Sequence, residues 1–173
     1  MTAATPIAGV VFDRAIQRKR GAAPLSSSEA NLWLMPALLP QAQGIPLPQP
    51  NHVSQPFWDG CARGELLFQR CQRCGRAIFN PAPMCRFCGS TELGWERSAG
   101  AGEIYSWTVV WRPQTPTFRV PYAPIIVDLD EGFQMVSSLI GCDSADVRSG
   151  MRVEVEFHAI GGGVELPYFR PAV

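Results

Sequence analysis

Lysine is nearly missing from this chain: Lys19 is the single lysine among 15 basic residues, and the rest are arginine. Chemistry that needs a lysine amine, such as a Schiff base, therefore has one candidate, placed in a basic cluster near the N-terminus. Histidine is scarce too, with only His52 and His158. That argues against a His-rich metal site and against a His-based catalytic triad. Net charge is lacking, because 15 basic residues balance 15 acidic ones. Whole-surface attraction to nucleic acid or to an anionic membrane is not expected from such a chain. The longest apolar stretch, Leu32 to Leu39, is broken by Pro36, whereas a membrane-crossing helix needs about 20 apolar residues. Arg18-Lys19-Arg20 is followed by Gly, Pro and Ser, not by the apolar run of a signal peptide. These absences lead us to expect a cytoplasmic protein that neither spans membranes nor grips nucleic acid. A Gly-rich phosphate loop, a G-x-S-x-G elbow and an H-E-x-x-H motif are also missing.

What is present begins with turns and cysteines. Sixteen glycines and sixteen prolines in 173 residues, with few helical periods, point to a β-rich chain of one domain or two small modules. Four of the six cysteines fall into a pattern: Cys71-Gln-Arg-Cys74-Gly75, ten intervening residues, then Cys85-Arg-Phe-Cys88-Gly89. Two residues between thiolates let one tight turn offer both sulfurs to one metal, and the glycine that follows tolerates the backbone such a turn needs. Two such turns facing each other make a closed tetrahedral thiolate site suited to Zn²⁺. A pair of disulfides is the competing reading, disfavoured in a reducing compartment, and iron in the same geometry is a minor alternative. A site with four protein ligands and no open position is structural and not a Lewis acid. Cys61 and Cys142 lie outside the pattern and read as small buried apolar residues.

Along the chain, residues 1–50 read as an N-terminal extension or arm, with short helices expected over Val11 to Arg20 and Ser28 to Leu39. Six prolines between Pro36 and Pro56 suggest an extended linker. Met35 is a candidate start, so the arm is partner-binding, disordered or spurious. Residues 51–65 form a helical segment, with helix expected over Gln55 to Arg63, Ser54 as N-cap and Pro56 in the first turn. Residues 66–98 enclose both cysteine pairs and make a zinc ribbon. Residues 99–173 read as strands: Gly102 to Trp111, Ile125 to Leu129, Phe133 to Ile140, Arg152 to His158 and Val164 to Phe169. Asp130-Glu131-Gly132 and Gly161-Gly162-Gly163 mark turns, and Asp143 to Gly150 suggests a short helical turn. Five strands fit an OB-fold barrel, with an SH3-like barrel or a small sandwich as alternatives. The ribbon carries five Arg against two acidic residues, and the strand region five Arg against nine. An acidic barrel is unlike the positive groove with which OB-folds track nucleic acid.

The ordered set of motifs carries a resemblance. Pro56-Phe57-Trp58-Asp59-Gly60, Leu67-Phe68-Gln69-Arg70-Cys71, the two cysteine turns and Gly102-Glu103-Ile104-Tyr105-Ser106-Trp107-Thr108 come first. Pro121-Tyr122, Leu139-Ile140-Gly141-Cys142 and Leu166-Pro167-Tyr168-Phe169-Arg170-Pro171 follow. Over residues 48–173 the chain resembles the zinc-ribbon/OB-fold acyl-CoA-associated proteins. The resemblance implies a mainly β fold: an N-terminal helical segment, a rubredoxin-like zinc ribbon, then a five-stranded OB-fold barrel. It implies a non-catalytic accessory subunit that binds a thiolase-like or lipid-transfer-protein-like enzyme in a hetero-oligomer. The partner would act on an acyl-CoA thioester by retro-aldol cleavage, acyl transfer or condensation. A stand-alone acyl-CoA-binding protein is the alternative, and a nucleic-acid-binding OB-fold protein is a weaker one. The first 45 or so residues depart from the family pattern.

Candidate residues follow. Cys71, Cys74, Cys85 and Cys88 are the expected structural zinc ligands, and no catalytic residue is assigned. Arg76 and Arg86, beside Arg70 and Arg73, are candidates to meet CoA phosphates, since guanidinium matches phosphate geometry; a solvated basic face is the plainer reading. Tyr105 and Trp107 are expected in the barrel core, with Trp111 exposed next to Arg112. Phe118 and Arg119, in the long 112–124 connection, are interface candidates. Tyr168, Phe169 and Arg170 lie where a partner or its CoA thioester would reach, unless they simply close the last strand. Phe57 and Trp58 dock a partner or pack on the ribbon or barrel. His158 reads as solvated, and Asp128, Asp130 and Glu131 as turn acids, not as a cation site.

Overall fold

The computed structural model describes residues 37–41 and 44–172. The expected helix over Val11 to Arg20, and residues 28–36 of the second, lie outside the described residues. The end of that second helix, Ala37 to Leu39, is extended instead. Ala37 bridges to Asp143, and the Leu38 N–H donates to the Cys142 carbonyl at 2.8 Å. Pro40 disfavours helical backbone at the residue before it, and pairing here buries Leu38 completely. The Pro-rich stretch expected as a linker is extended but docked: Ile45 is buried, and the buried Gln41 is tied to the barrel.

Helix α1 runs Gln55–Ala62, as the sequence indicates to within one residue. Its N-cap chemistry differs from expectation. Ser54 has helical backbone angles (φ −93°, ψ −10°) and its side chain makes no capping bond. An N-cap side chain reaches the next turn from non-helical backbone, so Ser54 is wrongly set for the role. Asn51 does the local work: its Oδ1 accepts the N–H of Val53 at 3.0 Å and of Ser54 at 2.9 Å.

The ribbon is a three-stranded antiparallel sheet of β1 (Leu67–Cys71), β2 (Ala77–Ile78) and β3 (Leu93–Arg97), in the order β2-β1-β3. Five more strands follow: β4 (Ala101–Trp107), β5 (Ala123–Leu129), β6 (Gln134–Leu139), β7 (Arg152–Gly161) and β8 (Val164–Pro171). They close a barrel in the order β4-β5-β6-β8-β7. All pairs are antiparallel except β6 with β8, which meet as parallel neighbours at Leu139 and Phe169 only. Closure in this order makes the barrel an OB-fold, removing the sandwich and SH3-like alternatives. The segment Asp143 to Gly150 holds turns in place of the expected helical turn, with the Asp146 N–H bonded to the Asp143 carbonyl at 3.0 Å.

Tyr105 and Trp107 are not core residues. They are 60% and 39% exposed. Gly102 and Ile104 take the inward positions of β4, and a Cβ at Gly102 would sit 2.4 Å from the Asp128 carbonyl oxygen. Alternation then turns Tyr105 outward, and a bulge between Ile104 and Ser106 breaks the register beyond it.

Helix, ribbon and barrel share one apolar core. Phe57, Leu66 and Phe68 join Ile125, Val127, Leu139, Val153 and Phe169 in it. Phe133 is the joint: its ring lies 4.9 Å from that of Phe68 and stacks on Phe79 at 5.3 Å. The adjoining turn acids act as ties. Glu131 accepts from the Ser98 hydroxyl at 2.9 Å and the Ala99 N–H at 2.7 Å. Asp130 takes both guanidinium nitrogens of Arg152 at 2.8 and 2.7 Å, and that pairing holds its carboxyl below the usual range.

Candidate metal centre and apolar groove

The ribbon folds its two knuckles alike. The Gly75 N–H donates to the Cys71 carbonyl at 2.8 Å, and the Gly89 N–H to the Cys85 carbonyl at 2.9 Å. Both glycines have φ of +72°, a conformation that side chains disfavour. The turns bring all four sulfurs within 4.8 Å of one another. Cys71 and Cys88 Sγ are 3.6 Å apart, and Cys74 and Cys85 Sγ 3.7 Å. A tetrahedral Zn²⁺ with Zn–S bonds of about 2.3 Å has S···S edges of about 3.8 Å, so the cage fits zinc.

The ionisation of the thiols agrees. A backbone N–H of Cys74 is the main influence lowering the Cys71 thiol. Burial opposes ionisation of Cys85, but N–H groups of Phe87 and Cys88 bring it down to about 7. At Cys88 an N–H of Ser90 lowers the thiol, yet burial and the neighbouring cysteines push it up to about 11. Crowded thiolates repel one another, and a divalent metal held between the sulfurs would offset that charge. With every position filled by protein, the ion has no site for substrate. Zinc bound here supplies folding energy, not catalysis.

Cys61 is buried and its thiol is pushed up to about 12 by desolvation. Burial is also the first cause that raises Cys142. Both are poor nucleophiles, in keeping with the apolar role expected from sequence.

The other candidates scatter over three places. Arg76 and Arg86 sit at the knuckle tip, their guanidinium carbons 4.6 and 5.0 Å from the ring centroid of exposed Phe87. Trp111 is 52% exposed and Arg112 is exposed, both in the loop after β4. Arg119 is exposed, and Phe118 is half-buried and stacked on Tyr122 at 5.8 Å. The reach of a partner to Phe169 is overturned, since it is fully buried as a core residue of β8. Tyr168 is buried as well, with its hydroxyl accepting the Gln41 N–H at 3.2 Å. Arg170 pairs with Glu154 at 2.7 Å and Glu156 at 3.1 Å. His158 is partly buried, bonded to Glu156 at 2.7 Å and edge-on to Tyr168.

A feature missed from sequence is a groove of about 520 Å³ where α1, the turn after β2 and the barrel meet. It opens where β6 and β8 diverge beyond their one shared pair. Of the sequence candidates, Phe57, Trp58, Phe118 and Tyr168 line it; Phe79, Met135 and Leu166 join them. These residues come from segments far apart in the chain, so no local motif announces the groove. Gln41 closes one side. Its side chain accepts the Arg119 N–H at 2.8 Å and donates to the Arg119 carbonyl at 3.1 Å. Gln41→Ala is expected to lower stability by about 1–2 kcal/mol, the scale of the lost bonds, in urea unfolding. The loop around Arg119 should then exchange its amides faster.

Comparison with known proteins gives the family. Residues 58–94 match the ChsH2 rubredoxin-like zinc ribbon domain, and residues 95–158 match the ChsH2 C-terminal OB-fold domain. The chain belongs to the zinc-ribbon/OB-fold acyl-CoA-associated family. Among family members, a DUF35 domain-containing scaffold protein of Methanocaldococcus jannaschii is 32% identical over 97 residues, covering 55% of this chain and 69% of that protein. A probable enoyl-CoA hydratase alpha subunit of Thermomonospora curvata is 33% identical over 128 residues, covering 74% of this chain. The match spans only 40% of the Thermomonospora protein's length. Of solved structures, the Ltp2-ChsH2(DUF35) aldolase contains a chain that is 32% identical, with a TM-score of 0.69, covering 73% of this chain and all of that one. Among the described residues, no helix is long and apolar enough to cross a membrane.

Proposed function

We propose that the chain is a non-catalytic accessory subunit. It binds a thiolase-like enzyme in the cytoplasm and supports that enzyme's reaction on an acyl-CoA thioester, by retro-aldol cleavage, acyl transfer or condensation. The observation that carries this reading is the likeness along the whole length of a chain from the Ltp2-ChsH2(DUF35) aldolase. Two features of the surface support it. Large apolar side chains stand exposed on β4, in the loop after it and on β6: Tyr105, Trp111 and Val136 are 60%, 52% and 71% exposed. Large side chains of this kind are common anchors of protein interfaces. The four-cysteine metal centre is closed by protein ligands, and in this reading the chemistry falls to the partner.

The test is turnover of an acyl-CoA by the thiolase-like enzyme with and without this chain. We expect the enzyme alone to be poorly active or insoluble, and the pair to be active. Tyr105→Arg should weaken the complex by tenfold or more, the scale of an interface anchor, while leaving the melting temperature unchanged. Full activity of the enzyme without this chain would sink the reading.

A further inference from the structure

The four cysteines of the cage differ in how far solvent reaches them. Cys71 closes β1 on its buried side and is 0% exposed. Cys85 is 1% exposed, and the Phe87 N–H donates to its sulfur at 3.4 Å. Cys74 is exposed and Cys88 half-buried. Each C-x-x-C knuckle thus has a buried first cysteine and a second one that solvent reaches.

Close sulfur contacts join one cysteine of each kind. Cys74 Sγ lies 3.7 Å from Cys85 Sγ, and Cys88 Sγ lies 3.6 Å from Cys71 Sγ. Both contacts cross from one knuckle to the other. A disulfide holds its sulfurs about 2.05 Å apart, so a shift of less than about 2 Å closes either pair. Thiolates within reach of solvent are the form of cysteine that oxidants select. Cys61 and Cys142 do not compete, because burial raises both thiols and keeps them protonated.

We infer that Cys74 and Cys85 form a redox modification site, where a hydroperoxide oxidises the pair to a disulfide across the knuckles and zinc leaves. The Cys74 thiolate attacks the outer oxygen of the hydroperoxide. An S–O bond forms, the O–O bond breaks, and the departing alkoxide or hydroxide takes up a proton. The Cys85 thiolate then attacks the Cys74 sulfur. The S–S bond forms, the S–O bond breaks, and hydroxide leaves to become water. One peroxide is reduced by two electrons, one from each sulfur. Zinc has then lost two of its four ligands, and the remaining two do not make a closed structural site. Cys88 and Cys71 pair in the same way with a second peroxide. Thiol exchange reverses a disulfide, so a reducing thiol with zinc rebuilds the cage. This site depends on the chain's own sulfurs and not on the accessory-subunit reading.

The experiment treats the zinc-loaded full chain with hydrogen peroxide and follows freed metal with a zinc-sensitive dye. We expect loss of the whole zinc content. Peptide mapping at half release should place the first disulfide at Cys74–Cys85. Dithiothreitol with added zinc should then restore the original metal content. Met84 is 52% exposed beside Cys85 and serves as an internal clock: zinc should leave before Met84 becomes the sulfoxide. In a separate sample, limiting N-ethylmaleimide should add first at Cys74. Cys142→Ala lies outside the cage and should leave the release rate unchanged. Zinc retained while Met84 is oxidised, or metal content that dithiothreitol and zinc do not restore, would overturn the inference. So would a first disulfide other than Cys74–Cys85, first alkylation at another cysteine or at none, or slowed release in Cys142→Ala.

Discussion

Cys85→Ser should strip the chain of stoichiometric zinc and unfold the ribbon. Structural zinc contributes about 10–16 kcal/mol of apparent binding energy in small zinc domains. A whole domain is stable by only about 5–15 kcal/mol, so a three-strand sheet as short as β2-β1-β3 has no reserve to cover the loss. Damage should also spread. Phe68 and Phe79, on the ribbon, pack against Phe133 of the barrel, so the barrel should melt earlier as well. Chelation of the wild-type protein should have the same effect. Metal loading should release protons, since the Cys88 thiol stands at about 11 without a cation. Protons and metal compete for the same sulfurs, so zinc affinity should fall as pH falls. Metal content together with thermal melting checks this. A variant that keeps one zinc per chain and an unchanged melting temperature would contradict the account of the cage.

Phe133→Ala should cost about 3–5 kcal/mol, the usual penalty for deleting a buried aromatic ring. The ring is 4% exposed and touches both modules. Its loss leaves a cavity at the joint, where neither side can collapse without shifting the other. Beyond the drop in stability, the two modules should uncouple: hydrogen exchange in residues 67–97 should rise before that of the barrel strands. In the wild-type chain they should open together. Destabilisation below about 1 kcal/mol, well under the range for core aromatics, would mean the modules do not depend on this contact.

The parts of the structure written in local sequence were the readable ones. The cysteine knuckles need two residues between sulfurs and a glycine after them, and both requirements are met within five positions. The strands were legible because Asp130-Glu131-Gly132 and Gly161-Gly162-Gly163 mark their turns, and because Arg152 to His158 alternates. Helix α1 is legible, but its cap is not: Ser54 looks like an N-cap in sequence, yet its helical backbone leaves its side chain without a capping bond, and the Asn51 side chain accepts the Ser54 N–H. Bulk alone suggests burial for Tyr105 and Trp107, whereas both are exposed. The parity of β4 is set by Gly102 and Ile104 and then interrupted by a bulge, and neither leaves a mark in hydrophobicity. Position near the last strand's end suggests that a partner reaches Phe169, whereas the barrel buries it beside Leu139. The groove is the least legible feature. It depends on two strands parting after one shared pair, and on side chains from α1, the ribbon turn and the barrel meeting across long stretches of chain.

The claim that this chain serves a thiolase-like enzyme is tested most directly by recovering the tagged full-length protein from its native cells and identifying what co-purifies. The account predicts a thiolase-like enzyme in near-stoichiometric amount, reduced tenfold or more when Tyr105→Arg is the bait. Recovery of the chain alone, or with nucleic-acid enzymes in place of an acyl-CoA enzyme, would contradict it.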